Sequence, residues 1–255
     1  MLGVTSLALL VVIVFFGATL VRSALGFGEA LIAVPMLAFV LPVEVAAPVA
    51  TLVSITVAAV VVAQDWRHIH LRSAAWLVFS TLLGIPLGLL LLRTVSEPIV
   101  KGVLGVLVAG FAAAALRRKT TFELTNDRLA WFFGVSAGVL GGAYGMNGPP
   151  LVVYGTLRRW SPEHFRATLQ GYFLPASLIG MIGYWAAGLW TPGVSRFYLL
   201  SLPAVLLAIP LGRALNRRLD ARRFLAVVHA GLLASGAGLV LQAIITWMTH
   251  QPPVG

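Results

Sequence analysis

At 255 residues, of which 59% are hydrophobic and 10% charged, the chain falls far below the roughly 25% charged residues of a soluble domain, which excludes a soluble globular protein and leaves a polytopic membrane protein. The formal net charge of +10 does not call for a nucleic-acid partner, because the basic residues fall in short loops between apolar runs, where membrane topology accounts for them. The count of 0 cysteines excludes disulfides, thiolate metal sites and thiol catalysis together.

Apolar runs follow one another from end to end. The first five are Leu2–Val21, Ala24–Leu41, Val43–Ala63, Ser73–Leu92 and Ile99–Leu116. The next five are Leu129–Tyr144, Leu151–Leu157, Ala167–Leu189, Phe197–Leu215 and Phe224–Met248. They leave no room for an extramembrane domain, so the pattern predicts one transmembrane domain over 1–255. No basic residues precede the first run and no small-residue cleavage site closes it, which predicts a span rather than a cleaved leader.

Two interruptions stand in corresponding places of the two halves. The first is Leu25–Glu29, reading LGFGE; the second is Gly141–Pro150, reading GGAYGMNGPP. Inside a regular helix a glycine costs about 1 kcal/mol and a proline about 3 kcal/mol, so the backbone is expected to open at both. Open backbone at membrane depth is tolerated where protein buries it or where it lines a cavity. Paired breaks in matching positions of two halves point to a transporter's binding site.

The halves repeat one scheme. Ala50-Thr51-Leu52 recurs as Ala167-Thr168-Leu169, and Ile85-Pro86-Leu87-Gly88 as Ile209-Pro210-Leu211-Gly212, in the same order and at nearly constant offset. This predicts an internal duplication, repeat one over about 1–118 and repeat two over about 125–250. Most of the 18 Lys and Arg residues sit in four loops, 64–72, 117–128, 158–166 and 213–223, which the positive-inside rule makes cytoplasmic. Counting crossings then requires each break to form a hairpin that returns to its starting side. The expected fold is all-α and polytopic, with two inverted repeats, each a broken helical hairpin followed by three transmembrane helices, and with both termini outside the cytoplasm.

Several other patterns have structural readings. Gly134, Gly138 and Gly142, four residues apart, suit close helix packing. The same run holds Gly134-Val135-Ser136-Ala137-Gly138, a G-x-S-x-G pattern, but a nucleophile elbow needs a strand, a turn and a helix. His229 is a candidate partner for Ser136 only in a membrane-embedded enzyme. His68 and His70 do not make a metal site without further ligands. Trp66, Trp76, Trp131, Trp160, Trp185, Trp190 and Trp247 lie mostly near run ends, as interfacial anchors do.

Arg22 and Glu29 lie in or beside the first break. An intramembrane ion is a functional hypothesis with a named partner: either the two form a structural pair, or Arg22 attracts an anion while Glu29 takes part in proton coupling. Helices restarting near Ala30 and near Leu151 would aim amides and the positive dipole end at the break tips. Gly26, Gly28, Gly145 and Gly148 would let a ligand approach the backbone, with close approach expected at Gly148, and Pro149 or Pro150 would begin a helix without wasting an amide. Ser23, Thr51, Asn147, Thr168 and Gln170 add neutral hydrogen-bonding groups.

At these residues the chain resembles the sulfite exporter TauE/SafE family, small membrane proteins of two related halves. The family pattern of G-x-G-G-G, an apolar run and a proline reads here as Gly26-Phe27-Gly28-Glu29-Ala30, then Leu31-Ile32-Ala33-Val34-Pro35. Its second copy reads Gly145-Met146-Asn147-Gly148-Pro149, and Ala50-Thr51 and Ala167-Thr168 look like the family's Ala-Thr pairs. Glu29 and Asn147 depart from the usual glycines. The resemblance implies transport of sulfite, sulfonates or other small organosulfur anions.

Together these readings predict a secondary transporter of a small anion in the cell inner (plasma) membrane, working by alternating access and not an enzyme. No nucleotide-binding loop is present, so gradients of ions, protons or substrate would drive it. The implied partners are the small anionic substrate, the lipid bilayer and coupled protons or ions, with a homo-oligomer left open and no cofactor, metal or nucleic acid. An anion channel is the alternative, and a membrane-embedded enzyme a more distant one.

Overall fold

The computed structural model describes residues 4–65, 71–117, 123–124, 129–160, 162–216 and 221–249. These form ten helices and, among the described residues, no strand. The first half contains α1 (Val4–Leu25), α2 (Glu29–Leu37), α3 (Val43–Asp65), α4 (Leu71–Thr94) and α5 (Glu97–Arg117). The second contains α6 (Ala130–Tyr144), α7 (Gly148–Leu157), α8 (Pro162–Ala186), α9 (Pro192–Asn216) and α10 (Ala221–Thr249). By length and hydropathy, α1, α3, α4, α5, α9 and α10 can cross a membrane. This is an all-α polytopic membrane protein.

The predicted runs and the helices agree, with two instructive differences. Glycine and proline do not open the backbone over the whole of Gly141–Pro150; only Gly145–Asn147 leaves the helix. Gly141 and Gly142 stay in α6 because their missing side chains are needed for packing. A Cβ on Gly142 would meet the backbone of α4 at Ile85, Gly88 and Leu89, and Pro149 and Pro150 occupy the first turn of α7, where proline is at home. Second, the run Ala24–Leu41 yields an α2 of only 9 residues, about as short as α7, which has 10 where the short run Leu151–Leu157 is expected. At about 1.5 Å per residue each covers only about half of a 30 Å hydrocarbon layer.

Packing exchanges the two halves. α4 lies on α6 as α9 lies on α1, α4 touches α8 as α9 touches α3, and α3·α8 and α5·α10 are pairs of equivalents. Glycine makes the strongest of these contacts possible. Gly134 and Gly138 of α6 sit against Leu77–Ile85 of α4, as expected for the four-residue stripe, and Gly84 and Gly88 of α4 return the approach. Gly212 of α9 sits against Leu20, Ser23 and Ala24 of α1, and Gly105 of α5 meets Gly236 of α10. Backbones come this close only where no side chain separates them.

The outward faces are apolar, including Phe79, Leu83 and Leu90 on α4, Val106 on α5, Leu207 on α9 and Leu241 on α10, as lipid requires. Trp76, Trp131, Trp185, Trp190 and Trp247 are exposed on this surface. Trp66, His68 and His70 lie outside the described residues, as does much of the basic loops 64–72, 117–128 and 213–223.

Candidate functional site

The first break begins where α1 stops. Gly26 N–H donates back to Arg22 O at 2.6 Å, and Gly26 and Gly28 take φ of 90° and 103°, left-handed values that cost other residues about 1–2 kcal/mol. The chain can then start α2 at Glu29 instead of continuing α1. The amides of Glu29, Ala30 and Leu31, in the first turn of that helix, have no intrahelical acceptor, whereas Ile32 N–H already bonds Gly28 O at 3.1 Å.

The second break is held more tightly. Gly145 caps α6 with φ 66° and closes onto Gly141 O. A Cβ there would lie 2.8 Å from Ala47 O and 3.0 Å from Thr51 Oγ1, both on α3. Tyr184 of α8 donates to Gly141 O at 2.8 Å, and the Asn147 side chain sits against Gly141. Tyr172 of α8 shares a 2.6 Å hydrogen bond with Thr81 of α4 and also meets Asn147. Gly148, where close approach of a ligand is expected, has no positive φ, and among the described residues a Cβ on it would meet Phe173, at 3.9 Å; the glycine crowded by protein is Gly145.

Both breaks open on one small cavity of about 20 Å³, lined from the first by Arg22, Gly28 and Glu29 and from the second by Gly145, Asn147, Gly148 and Pro149. That is room for about one water molecule. The long central helices close it with Ser54 of α3 and Phe173 of α8.

Arg22 dominates its chemistry. Only 4% exposed, it donates from Nη1 to Glu29 Oε2 at 2.8 Å and to Ser54 Oγ at 2.7 Å. Its guanidinium carbon lies 4.9 Å from the centre of the Phe173 ring, a cation–π contact that strengthens when water is excluded. Ser177 of α8 donates to Ser54 Oγ at 3.2 Å and extends the chain. Yet Nε and Nη2 of Arg22 and Oε1 of Glu29, all buried, have no hydrogen-bond partner. Most buried polar atoms are satisfied, so this pair carries unused capacity beside a void.

The remaining sequence-predicted residues lie around this centre. Gly26 shapes the first break without lining the cavity. Ser23 faces Gly212 of α9, and its buried hydroxyl has no partner. Thr51 donates to Ala47 O at 2.9 Å and supports Gly145 from behind. Thr168 is fully buried in α8 with an unpartnered hydroxyl. The side chain of Gln170 lies outside the described residues. Sequence reading missed Ser54, Phe173 and Ser177. Ser54 follows Thr51 by three residues and so shares its helix face, a signal that was present; nothing in the pattern of α8 separates Phe173 from other core aromatics.

Ser136 lies in the middle of α6, without the strand and turn that a nucleophile elbow needs. His229 is buried edge-on to Phe111 of α5.

Comparison with known proteins points one way. The profile of the family described as "Sulfite exporter TauE/SafE" matches residues 10–239. A protein of Cupriavidus necator described as "Probable sulfite/organosulfonate exporter TauE" is 26% identical over 211 residues, which cover 81% of this chain and 82% of that protein. No solved structure matches significantly.

Proposed function

The chain belongs to the sulfite exporter TauE/SafE family, and from that premise we propose that it is a secondary transporter whose substrate, a small sulfite- or sulfonate-like oxyanion, binds between the two helix breaks. The observation that carries the reading is Arg22: a buried guanidinium, at a cavity shared by both breaks, with two donors unused. An oxyanion supplies the acceptors those donors lack, and the first-turn amides of α2, at the positive end of its dipole, would add to them. The relative from Cupriavidus necator, whose name refers to sulfite and organosulfonate, agrees with that chemistry.

The cavity is too small for such an anion without parting of its walls, which favours a carrier over an open channel. Alternating access would come from one hairpin moving against α3 and α8. The exchange of packing partners between halves supports reading 1–118 and 125–250 as repeats, and the loop charges support their inversion. On this reading Arg22, Gly28, Glu29, Gly145, Asn147, Gly148 and Pro149 form the substrate site, while Ser23, Gly26, Thr51 and Thr168 shape its surroundings.

The test is flux of sulfite and of a sulfonate in proteoliposomes. Saturable transport, with trans-stimulation by unlabelled anion, is expected. Flux that rises linearly with concentration at channel-like rates would overturn the carrier. Labels before Met1 and after Gly255 should both report the non-cytoplasmic side, and a cytoplasmic C-terminus would overturn the inversion.

A further inference from the structure

The Arg22–Glu29 pair is built incompletely for a structural ion pair. A buried pair recovers its desolvation cost only when the remaining donors and acceptors are also satisfied, and here Nε, Nη2 and Oε1 are not. The Glu29 carboxylate instead occupies the position an oxyanion would take. One oxygen accepts from Arg22 Nη1 at 2.8 Å, its residue opens α2, and the rest of the group borders the cavity.

Resting on the reading of this cavity as the anion site, we infer that Glu29 is a tethered stand-in for the substrate, so that an anion reaches Arg22 only as the displaced carboxylate takes up a proton, and the site accepts monoanions, such as a sulfonate or hydrogen sulfite, in preference to dianions such as sulfate. The reason is charge balance in a buried place, where Arg22 and Glu29 are almost entirely covered. Among the described residues Arg22 is the one cation lining the cavity, and two anionic groups on one guanidinium would leave an uncompensated buried charge, which is strongly unfavourable. A proton from water, added to one oxygen of Glu29, turns the carboxylate into a neutral acid, and Arg22 with a monoanion is then neutral again. A dianion would leave one negative charge even after that step.

Other charges do not take over this role among the described residues of the helices packed on α2. Glu44 of α3 is exposed, Glu97 and Lys101 of α5 pair with each other at 3.0 Å, and Arg117 is exposed at the end of α5. His229 of α10 stands against Phe111, and none of these lines the cavity.

The test uses the purified full chain with methanesulfonate and sulfate, tetrahedral oxyanions that differ in charge. Binding of methanesulfonate should take up about one proton per anion in weakly buffered solution, and its Kd should tighten about tenfold per unit fall in pH while Glu29 is ionised in the free protein. Sulfate should bind at least about tenfold more weakly. Glu29→Gln should bind methanesulfonate without pH dependence; if that variant does not fold, the proton count on the unmodified protein decides. Methanesulfonate binding without proton uptake, or sulfate binding as tightly, would overturn the stand-in while leaving the anion site intact. Failure of both anions, and of sulfite, to bind at any pH would overturn the anion site itself.

Discussion

The two helix breaks occupy equivalent places yet are made differently. The first is charged and loosely walled: Arg22 and Glu29 face a void, and a Cβ on Gly28 would meet nothing within 4 Å. Its helix opens with free amides. The second is neutral and tightly held: Gly145 is pressed on α3, Tyr184 and Asn147 lock the end of α6 at Gly141, and Pro149 and Pro150 remove two of the amides that a helix start would offer. Sequence reading gave both helix starts the same anion-facing role; on the proposed reading, the free amides and charges would give most of it to α2. One break would then recognise the anion and the other frame it.

If that division holds, substitutions should separate by break. The largest effect is expected at Gly145→Ala, where a left-handed φ of 66° and the contacts with Ala47 O and Thr51 Oγ1 act together. Strain and overpacking should destabilise the fold by about 3 kcal/mol or more, read as lost folded yield and a lower melting temperature. Normal yield would mean that the second break is not the frame.

Next comes the neutral double variant Arg22→Gln with Glu29→Gln, which removes the charges without leaving either one unpaired. Loss of a charge-assisted contact of about 1.5–3 kcal/mol should weaken anion binding about 10- to 100-fold while the folded yield stays close to that of the parent. Unchanged affinity would show that the first break does not recognise the anion.

Gly28→Ala should have an intermediate effect. Space is available for its Cβ, so only backbone strain of about 1–2 kcal/mol is expected, seen as a modest fall in melting temperature. An effect as large as that of Gly145→Ala would erase the contrast between loose and tight walls.

Gly148→Ala is expected to be smallest, within about 0.5 kcal/mol in stability, because its φ is ordinary and, among the described residues, a Cβ there would meet Phe173 only at 3.9 Å. A severe loss of transport at normal yield would show that the anion comes closer to the α7 start than the present geometry suggests.

By itself the sequence determined that this is a membrane protein of ten apolar segments, and it located both breaks, because hydrocarbon imposes length and apolarity on every span and glycine and proline interrupt helices locally. Arg22 and Glu29 were legible for the same reason: an ion in an apolar run is conspicuous. The family resemblance was legible in the motif at Gly26–Pro35 and its partner at Gly145–Pro149. What the sequence left open was which glycines bend the chain and which pack it, since both uses look alike in one dimension. Only the approach of α4 kept Gly142 helical, and only the backbone and side chain of α3 made Gly145 the tight position. Ser54, Phe173 and Ser177 entered the site in the same way, because a serine or phenylalanine on an apolar helix has no marked role until another helix brings a buried guanidinium within reach of it.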